Sequence, residues 1–73
     1  MDQIALLSPV ALIEDVPNHG LTKGQIGTVV EYLHREGEDA LLVEFSDDTG
    51  RTYAMADLKP GQLLALHRKT EAA

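Results

Sequence analysis

Cysteine and tryptophan are both absent from this 73-residue chain. Without thiols there are no disulfide staples and no thiolate metal sites, two devices that often hold domains of this size together. Aromatic residues are confined to Tyr32, Phe45 and Tyr53. A groove for proline-rich peptides or a cage for methylated lysine needs clustered aromatic faces. Three rings, with Phe45 expected in the core, do not furnish one. Nowhere are there the roughly 18 consecutive apolar residues of a membrane span. The start, Met1-Asp-Gln-Ile, lacks the basic region of a secretory signal. A cytoplasmic chain with no membrane association and no cofactor is therefore expected. Cations are scarce too: six Lys and Arg stand against twelve acids, for a net charge of −6. Such a balance repels phosphate backbones and anionic membranes.

What the chain does have is Gly20-Leu-Thr-Lys-Gly-Gln-Ile-Gly-Thr-Val-Val-Glu-Tyr32. Gly20, Gly24 and Gly27 lead directly into a β-branched run. Glycine reaches positive φ without steric cost and lets another strand approach closely, whereas Val, Ile and Thr favour a pleated surface. The stretch predicts a tight approach loop feeding the longest strand of a small, bent sheet.

In chain order, residues 1–7 read as a helical turn or an extended arm held by Leu6 and Leu7. Val10–Asp15 reads as a first strand, apolar on both faces until Glu14, so its inner face is undecided. Val16 to Gly24 is a long connection in which Pro17 and Gly20 exclude a two-residue hairpin and Leu21 is the peg to the core. A second strand runs from Ile26 to His34. Val29 and Val30 break its alternation, which predicts a bulge or burial on both sides. Arg35–Asp39 is a polar hairpin turn with Gly37 at positive φ. Ala40–Phe45 is a third strand with Leu41, Val43 and Phe45 facing in, followed by a tight turn at Ser46–Gly50. Arg51–Ala56 is a fourth strand on which Tyr53 and Met55 share a face. Asp57–Gly61 is a 3₁₀ turn closed by Pro60-Gly61. Gln62–His67 is a fifth strand or a short helix, the alternation of Leu64 and Leu66 after the Pro-Gly breaker favouring the strand, and residues 68–73 form a polar tail. One all-β domain over residues 1–73, with its core in about 8–67, follows: a small SH3-like five-stranded barrel with a 3₁₀ turn before the last strand. So small a core makes a partner chain or a homodimer a natural source of added stability.

Four segments carry a resemblance: Val10-x-Leu12-x-x-Asp15-x-Pro17, Gly20-Leu21-x-x-Gly24-x-x-Gly27-Thr-Val-Val-Glu31, Val43-Glu-Phe45, and Gly50-x-Thr52-Tyr53. Together they resemble a family of very small bacterial proteins, common in cyanobacteria, that is grouped as a domain of unknown function. The resemblance covers about residues 10–66 and is most specific over Gly24 to Glu31. It implies an SH3-like barrel and a partner protein encoded nearby, which suits an inhibitor or immunity role. Residues 20–30 are also similar to KOW-type segments of ribosomal and transcription proteins. Those modules surround this turn with lysine and arginine, and here only Lys23 lies in it.

The chain offers little to chemistry. His19, His34 and His67 form no short ligand motif. Glu14 with Asp15 and Asp47 with Asp48 are adjacent in turns, whereas general acid–base work needs carboxyls held apart in unlike surroundings. Asp47 and Asp48 are explained as turn residues bonding the local backbone. Ser8 and Ser46 lack a nucleophile elbow, and the glycine-rich stretch ends in no Gly-Lys-Ser/Thr. No catalytic, metal-binding or cofactor-binding residue is assigned, and a non-enzymatic protein–protein interaction module is expected. Glu36, Glu38, Asp39, Asp47 and Asp48, on acidic turns taken as adjacent, are its candidate contacts to a partner with a basic face. The alternatives are a KOW-like nucleic-acid module using Lys23, Arg68 and Lys69, and an accessory subunit docking through strand edges.

Overall fold

The computed structural model describes residues 4–66. Five strands form one antiparallel sheet: β1 (Pro9–Leu12), β2 (Ile26–Arg35), β3 (Glu38–Ser46), β4 (Thr52–Leu58) and β5 (Leu63–Ala65). They lie in the order β4-β3-β2-β1-β5, so the last strand returns beside the first. The all-β expectation holds. Closure does not: β4 and β5 are the two edges of an open sheet and do not pair with each other. Short 3₁₀ turns occupy Pro17–His19 and Pro60–Gln62. The second precedes the last strand as expected but begins later, because Asp57 and Leu58 continue β4.

The connections follow from local chemistry. Between β1 and β2 the chain pinches at a Val16–Leu21 bridge, and Gly20 caps the 3₁₀ turn at φ 68°. The Asp15 carboxylate accepts the Lys23 backbone N–H at 2.8 Å. Leu21, 2% exposed, pegs this loop to the core. The β2–β3 hairpin has a two-residue loop, Glu36-Gly37, with φ 53° and 80°. Positive φ at both positions is the pattern of a type I′ turn, whose twist matches that of the strands it joins. Between β3 and β4, Asp47 Oδ1 accepts from the Thr49 N–H, the Thr49 hydroxyl and the Arg51 N–H at 2.9, 2.7 and 3.0 Å. In the last turn the Gln62 side-chain oxygen accepts the Lys59 N–H at 2.9 Å.

One face of the sheet carries the core: Val10, Leu12, Val29, Leu41, Val43, Phe45, Ala56, Leu58 and Leu63 from the strands, with Ile4, Val16 and Leu21 from the connections. Removing a side chain of this kind from water contributes roughly 1.5–3 kcal/mol. Leu41, Val43 and Phe45 face in as alternation predicts. The β2–β3 register slips between Val29 and Glu31, so Val30 is the extra residue of a bulge. Gly27 sits on the covered face without positive φ. A Cβ there would fall 2.6 Å from Val43 Cγ1, 2.8 Å from the Glu44 carbonyl oxygen and 3.0 Å from Phe45 Cδ2. Its reason is close approach of β3, whereas Gly20 and Gly24 are needed for φ of 68° and 93°.

Two side-chain expectations are corrected. Leu6 and Leu7 do not hold the arm; both are exposed, and Ile4 is buried in their place. The Tyr32 hydroxyl secures that contact by donating to the Ile4 carbonyl at 2.6 Å. In β5 the inward residue is Leu63, and Leu64 points out. The strand stops at Ala65, and His67 and the polar tail lie outside the described residues.

Candidate functional site

The five acidic candidates divide into two groups. Glu36, Glu38 and Asp39 lie at the β2–β3 tip, whereas Asp47 and Asp48 lie in the β3–β4 turn. Two hairpins that share a strand turn at its opposite ends. The nine residues of β3 separate these turns by roughly 26 Å at ~3.3 Å per residue. The turns are therefore not adjacent, and the five carboxylates make no single patch.

The environments differ as well. At the tip, Glu38 lies 3.8 Å from Lys59 Nζ and Asp39 bonds His34 Nδ1 at 2.7 Å. Arg35 reaches Asp57 at 3.2 Å. Opposite charges face each other across the ladder where Arg35 pairs with Glu38, and His34 stands opposite Asp39. Glu36 stands exposed on the loop itself. At the other end, the Thr49 hydroxyl, aided by the Arg51 and Thr49 backbone N–H groups, holds the Asp47 carboxyl below the usual aspartate range. Asp47 is thus committed to its own turn, while Asp48 is exposed.

A second surface emerges from the register. Opposite the core, Leu64 of β5, Ala11 of β1 and Ile26 of β2 stand in one cross-strand row. The next row runs Pro9, Thr28, Glu44 and Met55 across β1 to β4. Ile26, Leu64, Met55 and Ile13 are 57, 55, 46 and 45% exposed. A strand apolar on both faces is the pattern of a strand covered on both sides, yet β1 is covered on one. Within this surface sits Glu44, half-buried, directly opposite Met55 on one side and Thr28 on the other. Among the described residues no cation pairs with it. Sequence reasoning did not single out this face, although the double-apolar pattern of Val10 to Ile13 was its signal.

The family model described as a domain of unknown function, DUF4926, matches residues 6–65. The chain belongs to that family. The match bears out the resemblance carried by the Gly24-x-x-Gly27-Thr-Val-Val-Glu31 segment, and in this DUF4926 chain it takes in all five strands. No curated protein and no solved structure matches the chain.

Within the DUF4926 fold the ordinary elements of a reactive site are dispersed. His19 lies in the long β1–β2 connection and His34 at the end of β2. No three His, Cys, Asp or Glu side chains among the described residues are grouped to hold a metal ion. No helix among them is long and apolar enough to cross a membrane. Tyr53 accepts a hydrogen bond from Gln25 Nε2 at 2.9 Å, and its ring lies 6.4 Å from that of Phe45 at 44°. Tyr32 is tied to Ile4. The two tyrosines thus serve packing and loop anchoring.

Proposed function

We propose that this chain is a non-enzymatic protein–protein interaction module with an SH3-like plan, acting in the cytoplasm as an inhibitor- or immunity-type partner of another protein. The SH3-like reading draws support from the strand order, in which a 3₁₀ turn returns the last strand beside the first. The binding surface is the sheet face opposite the core. One observation carries this: Leu64, Ala11 and Ile26 form a continuous row across three strands, with Ile26 and Leu64 more than half exposed. Contiguous apolar surface of this kind marks contact sites. The acidic tip at Glu36, Glu38 and Asp39, and the turn at Asp47 and Asp48, steer a basic partner from a distance and fade with salt.

The test is capture by tagged protein from native lysate, with Ile26→Ser alongside. One dominant basic protein, released by salt and lost with Ile26→Ser, is the expected result. Recovery that depends on nucleic acid would favour the KOW-like alternative. Equal capture by Ile26→Ser would remove the sheet face from the account.

A further inference from the structure

The position of Glu44 gives the partner a more definite chemistry, an inference that rests on the proposed binding face. On that face the neighbours of Glu44 are Thr28 and Met55 directly across, Ile26 and Asp57 on the diagonals, and Leu42 two residues back along β3. Direct cross-strand neighbours stand about 5 Å apart and diagonal ones about 7–8 Å. The Glu44 carboxylate therefore lies within one side-chain reach of Ile26 and Met55. Among the described residues Arg35 is taken by Asp57 and Lys59 by Glu38.

Covering this face with a purely apolar partner would strip water from an unpaired carboxylate, which is strongly unfavourable. Covering it with a second copy about a twofold axis would lay the same face against it, on which Arg35 and Lys59 already pair with Asp57 and Glu38. Both objections vanish for a surface that places a cation opposite Glu44. We infer that the face formed by Ala11, Ile26, Met55 and Leu64 docks a partner-protein segment carrying a lysine or arginine flanked by apolar side chains, with the cation paired to Glu44. The apolar contacts supply the anchor, and the charge pair fixes register and rejects acidic or neutral competitors.

The experiment is selection of a random 12-residue peptide display library on the intact protein, followed by titration of the selected synthetic peptides. Wild type, Glu44→Gln and Ile26→Ser are compared, with sedimentation equilibrium of each protein alone. Both substitutions are at exposed or half-exposed positions, so all three proteins should melt alike. Supporting results are enrichment of Lys or Arg between apolar residues, and binding weakened roughly tenfold or more by Glu44→Gln. Peptides that lose binding to Ile26→Ser but bind Glu44→Gln as tightly as wild type would overturn the cation pairing and leave the docking face standing. Peptides indifferent to both substitutions, or no selected peptide at all, would overturn the face as well. A wild-type dimer dissociated by Ile26→Ser would make a second copy the occupant and refute the inference. Peptides that bind more than tenfold tighter once residues 67–73 are removed would show the chain's own tail covering the face, with the same consequence.

Discussion

Gly27→Ala adds one carbon atom where β3 lies close against β2 on the core side. The added Cβ would stand 2.6 Å from Val43 Cγ1, 2.8 Å from the Glu44 carbonyl oxygen and 3.0 Å from Phe45 Cδ2. Neither buried side chain is a flexible surface group, since Val43 and Phe45 are both 0% exposed. The carbonyl is fixed in the ladder. The strain must be relieved by moving backbone or repacking the core, which costs about 1–3 kcal/mol. In a domain of this size that lowers Tm by roughly 5–20 °C. Gly27→Val should cost more. Urea denaturation followed by far-ultraviolet circular dichroism reads the loss directly. The cycle with Val43→Ala makes the reasoning specific, because that change removes the nearest atom and leaves the Glu44 oxygen. The double variant should be more stable than the two separate losses predict by at least about 0.5 kcal/mol. Gly24→Ala provides the contrast: it has open space but φ of 93°, so its cost is conformational and independent of Val43. A Gly27→Ala protein with wild-type urea midpoint would refute the close-approach account, and strict additivity with Val43→Ala would refute the named contact.

Three further outcomes follow from the same structure. Leu21→Ala should destabilise by about 2–5 kcal/mol, because this 2%-exposed side chain holds the long connection to the core; a loss under 1 kcal/mol in urea would show the loop is held otherwise. Tyr32→Phe removes the bond to the Ile4 carbonyl and should cost about 1 kcal/mol, with faster amide exchange near Ile4 and unchanged exchange in β3. Asp47 has a folded-state pKa held below its unfolded value, so its contribution is full above the unfolded pKa and disappears as pH falls through the lower folded one. Asp47→Asn should accordingly lower Tm at neutral pH and lose its effect in strong acid. A carboxyl carbon titration of Asp47 at or above ordinary aspartate values would contradict the turn geometry.

Much of the architecture was legible because local chemistry decided it. The β-branched run after Gly27, the breakers at Gly37, Gly50 and Pro60-Gly61, and the alternation of Leu41, Val43 and Phe45 each have one physical reading. Broken alternation at Val29 and Val30 pointed equally to a bulge or to burial on both sides, and the register decides for the bulge. Other features turn on comparisons the sequence does not contain. Residues 63–66, Leu-Leu-Ala-Leu, are apolar at every position, so a period of two cannot choose between Leu63 and Leu64. Register with β1 chooses instead. Ile4 prevails over Leu6 and Leu7 because of a partner 28 residues away, the hydroxyl of Tyr32. Positive φ at Glu36 is imposed by the hairpin, and nothing in a glutamate announces it. Closure of the sheet depends on whether β4 and β5 meet, which no stretch of either strand encodes alone. At the candidate site, the outward position of Glu44 was readable from Val43 and Phe45. Its apolar surroundings come from four strands, and only the register assembles them.

In the proposed complex the sheet face opposite the core, and not the acidic turns, forms the contact. The most direct measurement is an amide chemical-shift map of isotope-labelled protein on adding the captured partner or a selected peptide. The account predicts perturbations centred on Ala11, Ile26, Glu44, Met55 and Leu64, with the Asp47–Gly50 turn unchanged. Perturbations confined to Glu36–Asp39 or Asp47–Gly50, with that face silent, would contradict it.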